Sequence, residues 1–198
     1  MFEKPAPAEH EIVDLLARRW STRAFSNRPV DSQTLLRLFE AARWAPSSGN
    51  AQPWSYLLAT KDNPEEHDRF ASVLVGGNSW ARQAPVLALS IATLDRGPGR
   101  PNKHAWHDVG LADENLVIQA VSMDLSVHMM AGFDAEKARE LFAIPERYDP
   151  VAMIAIGYPG HPDSLPEDLR QKDLAPRQRK RIDEFLFTGK WGESAGLK

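Results

Sequence analysis

The sequence predicts a β-sheet of four strands packed against helices. Four short apolar segments have the composition of buried strands, and segments whose apolar residues recur at helical spacing separate them. No linker-like stretch divides the 198 residues, and a chain of this length can bury a sizeable core. We therefore predict a single domain over residues 1–198.

The first half of the chain predicts three helices and one strand. Apolar residues within 12–16 fit one face of a short helix. Asp31 is suited to cap a second helix, which must end before Pro46 because proline cannot continue it. Residues 54–60, WSYLLAT, predict a buried strand, and Pro64 is placed to open a third helix.

The second half predicts three more strands and two helices. Residues 85–94 are the most strand-like by composition, and residues 104–123 carry the apolar stripe of a long helix. Residues 125–133 predict a strand and turn, after which Asp134 can cap a helix. Residues 151–159, VAMIAIGYP, predict the last core strand.

The pattern changes from about residue 160 to residue 198. This segment shows no convincing core element, yet it contains several large apolar side chains: Phe185, Leu186, Phe187 and Trp191. Such a composition is too apolar for simple disorder. We expect an extended tail that packs across another surface, such as that of a second subunit.

Composition and charge exclude several classes of function. A net charge of −3 gives no overall field that would attract nucleic acid or an anionic membrane. The chain has no apolar run of about 18 residues and no signal-like N-terminus, which predicts a cytoplasmic protein. Without cysteine it has no thiolate metal site or thiol nucleophile, so any redox chemistry requires a cofactor.

Two polar segments lie where helices give way to loops. Residues 18–25, RRWSTRAF, place Arg19, Ser21 and Arg23 within five positions, and residues 45–54, APSSGNAQPW, are dense in small hydrogen-bonding groups. Arginine forks match phosphate oxygens well. Taken alone, however, each segment also fits a purely structural role. Arginine is favoured at helix ends, and Pro, Ser, Gly and Asn form ordinary turns.

A third, basic group is found in the tail. Between Arg170 and Arg181 six residues are basic and only Asp173 is acidic. With the arginines of residues 18–25 these cations could enclose a phosphate dianion. The alternatives are a solvated charged face or a nucleic-acid contact, although no aromatic residues are interleaved with the run to stack bases.

The pairing of RRWSTRAF with APSSGNAQPW resembles the nitroreductase-like flavoprotein family. Supporting segments are HDVGLADENLVIQAV (107–121), similar to the family's long central helix, AGFD (131–134) and FLFTGKWGE (185–193). The resemblance covers nearly the whole chain. It implies an α+β sandwich with a central mixed, mainly antiparallel β-sheet flanked by helices. It also implies an intertwined homodimer in which the tail, about residues 160–198, wraps the partner subunit.

The implied activity is that of an FMN-dependent NAD(P)H oxidoreductase. Such an enzyme reduces nitroaromatic, quinone or similar acceptors by a ping-pong transfer through flavin N5, so no protein side chain is catalytic and no metal is needed. One subunit would contribute residues 19–23 and the other residues 46–50, and the tail arginines would close on the phosphate. Residues 131–132 would offer backbone groups near N5, and Asn78 is a further candidate for the pyrimidine edge. The implied cofactor-binding residues are Arg19, Trp20, Ser21, Arg23, Pro46, Ser47, Ser48, Asn50, Ala131, Gly132, Arg177 and Arg179.

Other functions stay open at this point. The same fold carries different flavin chemistry in reductive dehalogenases and flavin destructases, and a protein could bind flavin without turning over NAD(P)H. A module that interacts through its basic tail is a third alternative. His104, His107 and Asp108 have helical metal-ligand spacing, but a polar helix start is the simpler interpretation.

Overall fold

The computed structural model describes residues 2–197 and contains one antiparallel sheet in the order β1-β2-β4-β3. The strands are β1 (Trp54–Thr60), β2 (Val86–Thr93), β3 (Ser126–Met130) and β4 (Tyr148–Gly157). The helices are α1 (Asp14–Arg18), α2 (Ser32–Arg43), α3 (Pro64–Ala71), α4 (Ala105–Ser122), α5 (Ala135–Leu141) and α6 (Glu167–Leu174). The predicted strands, the long central helix and the α+β class are confirmed.

The central strand β2 is buried on both faces of the sheet. Leu87 and Leu89 belong to a core cluster with α3 and α5, whereas Val86 and Ala88 belong to a second cluster with α2 and α4. Because helices cover both faces, neither set of alternating side chains faces water, and the strand does not alternate between apolar and polar residues. This explains why β2 is apolar on both faces, with Ser90 and Thr93 as its polar residues.

Helix starts follow from local chemistry. Asp31 accepts a hydrogen bond from the Thr34 amide at 2.8 Å, and Asp134 accepts one from the Lys137 amide at 2.9 Å. Pro64 occupies the first turn of α3, where its missing N–H costs nothing. All three predicted helix starts are confirmed.

Strand β4 begins three residues earlier than predicted. The sequence pattern predicts a start at residue 151, and Pro150, which precedes it, has no amide hydrogen to donate to a ladder. In the structure, the register between β2 and β4 shifts between Ser90 and Ile91, and Ile91 lies opposite Pro150. The bulge accommodates the proline, so the strand extends back to Tyr148.

Helix α4 carries two carboxylates on its buried face, Asp108 and Asp113. Asp113 accepts hydrogen bonds from the Tyr56 hydroxyl at 2.8 Å and from the Ser90 hydroxyl at 3.0 Å. Burial raises the pKa of Asp113 to about 6, and the two hydrogen bonds only partly oppose that rise. Within residues 2–197, no helix combines the length and apolarity needed to cross a membrane.

The tail is not extended throughout. Helix α6 lies within it, and Leu169 packs against the core cluster that contains α3 and α5. The prediction of an extended segment from about residue 160 is therefore wrong for α6, whose few apolar residues gave no periodic signal. Farther along, Phe185 is 60% exposed and Trp191 is 93% exposed.

Candidate functional site

Three arginines from distant parts of the chain lie close together. Arg177 Nη1 donates to the backbone carbonyls of Lys4 and Ala17, at 2.9 and 2.8 Å, which ties the segment after α6 to α1. Burial lowers the pKa of Arg177, and the nearby charges of Arg19 and Arg179 lower it further. We call these three residues the arginine cluster.

Among the described residues, no carboxylate forms an ion pair with the arginine cluster, although the charge of Arg19 also acts on Glu114. Among residues 2–197, none of the ion pairs involves Arg19, Arg177 or Arg179. Arg19 Nη1 also lies 3.4 Å from the Ser21 hydroxyl, which adds a neutral donor. Three guanidinium groups that repel one another, with a hydroxyl beside them, suit a bound dianion.

An open cleft of about 390 Å³ lies against the cluster. Its lining combines the three arginines with apolar groups that include Ile12 and Leu16. This volume is within the range of small-molecule and cofactor sites. The cleft therefore offers charge at one part and apolar surface at another.

Arg23 has a different environment from the arginine cluster. Its Nη1 lies 2.9 Å from Asp173 Oδ1, and its backbone amide donates to Asp173 Oδ2 at 2.8 Å. The Thr22 hydroxyl donates to the same Oδ2 at 3.0 Å. The guanidinium carbon is 5.8 Å from the centre of the Trp80 ring. Arg23 is thus fixed by an ion pair and an aromatic face.

Trp20 packs against the N-terminal segment. Its ring meets Phe2 edge to face, with 5.9 Å between centroids, and Lys4 Nζ lies 5.0 Å from the ring centre. Neighbouring side chains of an extended segment face opposite sides. The indole is accordingly in a packing position, whereas Arg19 belongs to the arginine cluster.

The loop at residues 46–52 has a defined, partly left-handed backbone. Gly49 and Asn50 have φ values of 57° and 54°, which glycine and asparagine adopt most readily. The Ser47 hydroxyl accepts a hydrogen bond from the Gln52 amide at 3.0 Å. Pro46 and Asn50 are exposed, and Ser47 is half-buried. The loop presents several polar groups at the surface in a fixed shape.

Asp108 of α4 anchors this loop. Its Oδ2 accepts the Ser48 amide hydrogen at 3.0 Å, and its Oδ1 lies 3.1 Å from His107 Nδ1. The Asp108 side chain is 2% exposed, so the two contacts use a carboxylate shielded from water. Helix α4 therefore sets where Ser48 lies.

Replacing Asp108 with alanine is expected to release the loop. A hydrogen bond to a charged group contributes roughly 1.5–3 kcal/mol, so amide exchange at Ser48 should quicken by about tenfold or more. Hydrogen–deuterium exchange resolved at single amides measures this change. Asp134→Ala removes a cap on α5 and is the control: equal protection of Ser48 in Asp108→Ala and Asp134→Ala would contradict the anchoring role.

The turn after β3 contains the other predicted backbone contacts. Ala131 is exposed, and the Gly132 carbonyl accepts a hydrogen bond from Asn78 Nδ2 at 2.9 Å. A Cβ at position 132 would lie 2.5 Å from that nitrogen, so only glycine fits without displacing Asn78. Asn78 lies in the 3₁₀ turns of Gly76–Gln83, a segment in which the sequence pattern predicts no helix. The structure thus joins Asn78 to Gly132.

The two polar segments do not meet within one chain. In the part of the chain that the structure describes, no hydrogen bond joins residues 18–25 to residues 45–54. Ser48 is held by Asp108, whereas the charge of Arg19 acts on Glu114, opposing the rise that burial causes in its pKa. Asp108 and Glu114 are about 9 Å apart along the axis of α4. The two segments therefore interact with different carboxylates of α4, and each corresponds to one half of the site that the family resemblance implies.

Sequence reasoning missed two carboxylates that hold these halves. In the sequence, Asp108 stands out only as part of the central helix motif and as a metal candidate, and Asp173 only as the single acid in a basic run. The isolation of Asp173 among cations is the signal that could find it, since an acid among cations often has a structural partner. Across residues 2–197, no group of three or more His, Asp or Glu side chains is arranged to hold a metal ion.

The sequence and the fold are similar to those of known proteins. The sequence model of the Nitroreductase family matches residues 16–158. A crystal structure described as an oxidoreductase containing FMN is 30% identical, with a TM-score of 0.91, and the match covers 98% of this chain and 100% of that one. A putative NADH dehydrogenase/NAD(P)H nitroreductase of Methanothermobacter thermautotrophicus is 26% identical over 88% of each chain. An FMN reductase [NAD(P)H] of Bacillus subtilis is 26% identical over 76% of this chain and 66% of its own.

Proposed function

Because the chain belongs to the nitroreductase family, we propose that it is an FMN-dependent NAD(P)H oxidoreductase that reduces electron-poor acceptors such as nitroaromatics or quinones. When bound, FMN supplies the chemistry by taking a hydride at N5 from NAD(P)H and giving electrons to the acceptor. Reductant and acceptor use the same site in turn, as a ping-pong scheme requires. The residues of the protein bind and orient the participants.

The arginine cluster is the observation that carries this proposal. Arg19, Arg177 and Arg179 form no ion pair among residues 2–197, and the Ser21 hydroxyl lies beside Arg19. The FMN phosphate is a dianion with acceptor oxygens, and it would neutralise the cluster. The donor set of the chain therefore fits the charged end of the cofactor.

The remaining site residues suit the flavin ring. Arg23 would place a cation near the pyrimidine edge, where charge develops on reduction. Asn78 holds the Gly132 backbone, and the exposed turn at Ala131 and Gly132 would offer backbone groups near N5. From a second subunit, Ser47, Ser48 and Asn50 would complete the site. Pro46 would contribute to the shape of that loop.

We further propose that two copies of the chain form the site. Helix α1 has no buried residue, and its neighbourhood exposes Ile12, Val13 and Leu16. Phe185 and Trp191 of the tail are also largely exposed. Apolar surface of this kind, next to two half-sites that do not meet in one chain, supports a partner subunit. The tail beyond Arg179 would pack on that partner.

Dissociating the dimer is expected to release FMN. The half-site around Ser48 would then leave the half-site around Arg19, so the cofactor would lose about half of its contacts. A Trp191→Glu, Phe185→Glu variant tests this by light scattering together with flavin absorbance. Leu58→Glu, on the edge strand β1, is the control for adding a charge at an exposed apolar position. A monomeric variant that keeps full flavin would contradict the shared site.

The activity itself is tested on the purified protein. We expect a yellow protein whose flavin absorbance bleaches when NADH or NADPH is added without oxygen and returns when a quinone or nitroaromatic follows. A colourless protein that does not take up FMN would exclude a flavin enzyme and favour an interaction module. A yellow protein that neither nicotinamide nucleotide bleaches would be a flavin binder.

A further inference from the structure

We propose that Asp173 of α6 is a positioning residue that orients Arg23 and lowers the reduction potential of the flavin beside it. The inference rests on the proposed function, because it concerns the cation assigned to the pyrimidine edge. It assigns a redox role to a tail residue that makes no predicted contact with the cofactor.

The side-chain hydrogen bonds of Asp173 are all directed at one short segment, while its backbone carbonyl accepts a hydrogen bond from Lys4 Nζ. Its Oδ1 meets Arg23 Nη1 at 2.9 Å, and its Oδ2 accepts the Arg23 amide at 2.8 Å and the Thr22 hydroxyl at 3.0 Å. The Asp173 side chain is 0% exposed and that of Arg23 is 26% exposed. The carboxylate is therefore behind the arginine, and the arginine faces the surface.

The arginine keeps hydrogen-bonding capacity after this ion pair forms. Within residues 2–197, Arg23 Nε and Nη2 make no hydrogen bond, and the guanidinium lies over Trp80 at 5.8 Å. Trp80 packs in turn against His128 of β3, with 4.6 Å between ring centroids. Since Asp173 and Trp80 fix two sides of the guanidinium, its free donors are held toward whatever occupies the site.

The charge of Asp173 has a predictable effect on flavin. Two electrons and one proton convert oxidised FMN into its anionic reduced form, so a nearby cation favours reduction. A carboxylate 2.9 Å from that cation offsets part of its field, and burial away from water keeps the offset strong. Asp173 therefore makes the bound flavin harder to reduce than Arg23 alone would.

The test is the midpoint potential of the FMN-loaded protein, measured by anaerobic equilibration with a reference dye. Asp173→Asn keeps the shape of the side chain and removes its charge. We expect the equilibrium to shift about tenfold toward reduced flavin, a potential about 30 mV more positive for a two-electron couple. Arg23→Gln removes the cation and is expected to shift the potential in the opposite direction.

Opposite shifts distinguish this role from simple packing. If Asp173 and Arg23 only packed together, the two substitutions would shift the potential in the same direction. Asp163→Asn is the matched control, because it removes an exposed tail carboxylate that pairs with Arg170. An unchanged or more negative potential in Asp173→Asn overturns the inference, as does an unchanged potential in Arg23→Gln. Should Asp173→Asn fail to fold, Asp173→Ser decides, because it also removes the charge and should shift the potential in the same positive direction. If the wild-type protein does not bind FMN, that result would instead overturn the proposed function.

Discussion

Replacing Arg19 and Arg179 together with glutamine is expected to weaken FMN binding by about 10²- to 10⁴-fold and to leave riboflavin binding nearly unchanged. Each arginine would lose a charge-assisted hydrogen bond to phosphate, worth roughly 1.5–3 kcal/mol, and 1.4 kcal/mol is a factor of ten. Riboflavin lacks the phosphate and so does not sense the change. Arg177 is left in place because its bonds to Lys4 and Ala17 are structural.

Flavin fluorescence titrations of the apoprotein with FMN and with riboflavin measure the effect. Arg37→Gln with Arg82→Gln is the control, since it removes the same two charges from exposed positions outside the cluster. The apoprotein of the test variant should unfold at the same or a higher temperature, because repulsion within the cluster is relieved. Equal weakening for both flavins would show that the cluster does not hold the phosphate.

Much of the fold could be predicted from local patterns. Asp31, Pro64 and Asp134 act on amides within one helical turn, so their neighbours in sequence determine what they do. The mostly apolar composition of β2 predicts burial on both faces of the sheet. The start of β4 could not be predicted, because the bulge that admits Pro150 depends on the register with another strand.

The candidate site divides in the same way. Arg19 and Ser21 are close in sequence, and the prediction that Arg177 and Arg179 join Arg19 agrees with the structure. The pairing of Arg23 with Asp173 spans 150 positions and has no local signature. Helix α6 also escaped prediction, since burial of Asp173 and Leu169 depends on contacts made elsewhere in the chain. The sequence therefore does not reveal which distant residues pair with its charged side chains.

Asp113→Asn is expected to stabilise the protein at pH 8 by up to about 3 kcal/mol. Burial raises the pKa of Asp113 from 3.8 to about 6, a difference of about two pKa units at 1.36 kcal/mol each. Because the folded-state value is the higher one, the stability that the protonated carboxyl contributes is fully present below about pH 4. It is lost as the pH rises through about 6. An asparagine carries no charge and escapes this loss.

Asparagine at position 113 can keep the hydrogen bonds to Tyr56 and Ser90, so the substitution changes mainly the buried charge. An amide oxygen can accept from Tyr56, and the amide nitrogen can donate to the Ser90 hydroxyl, which also lies 3.4 Å from the Ala152 carbonyl. Urea unfolding of the apoprotein at pH 4, 6 and 8, at one protein concentration, measures the difference. It should grow from near zero at pH 4 to its full size at pH 8. Asp62→Asn, an exposed turn carboxylate, should leave the pH profile unchanged. A gain independent of pH would mean that packing, not the buried charge, separates Asp113→Asn from the wild type.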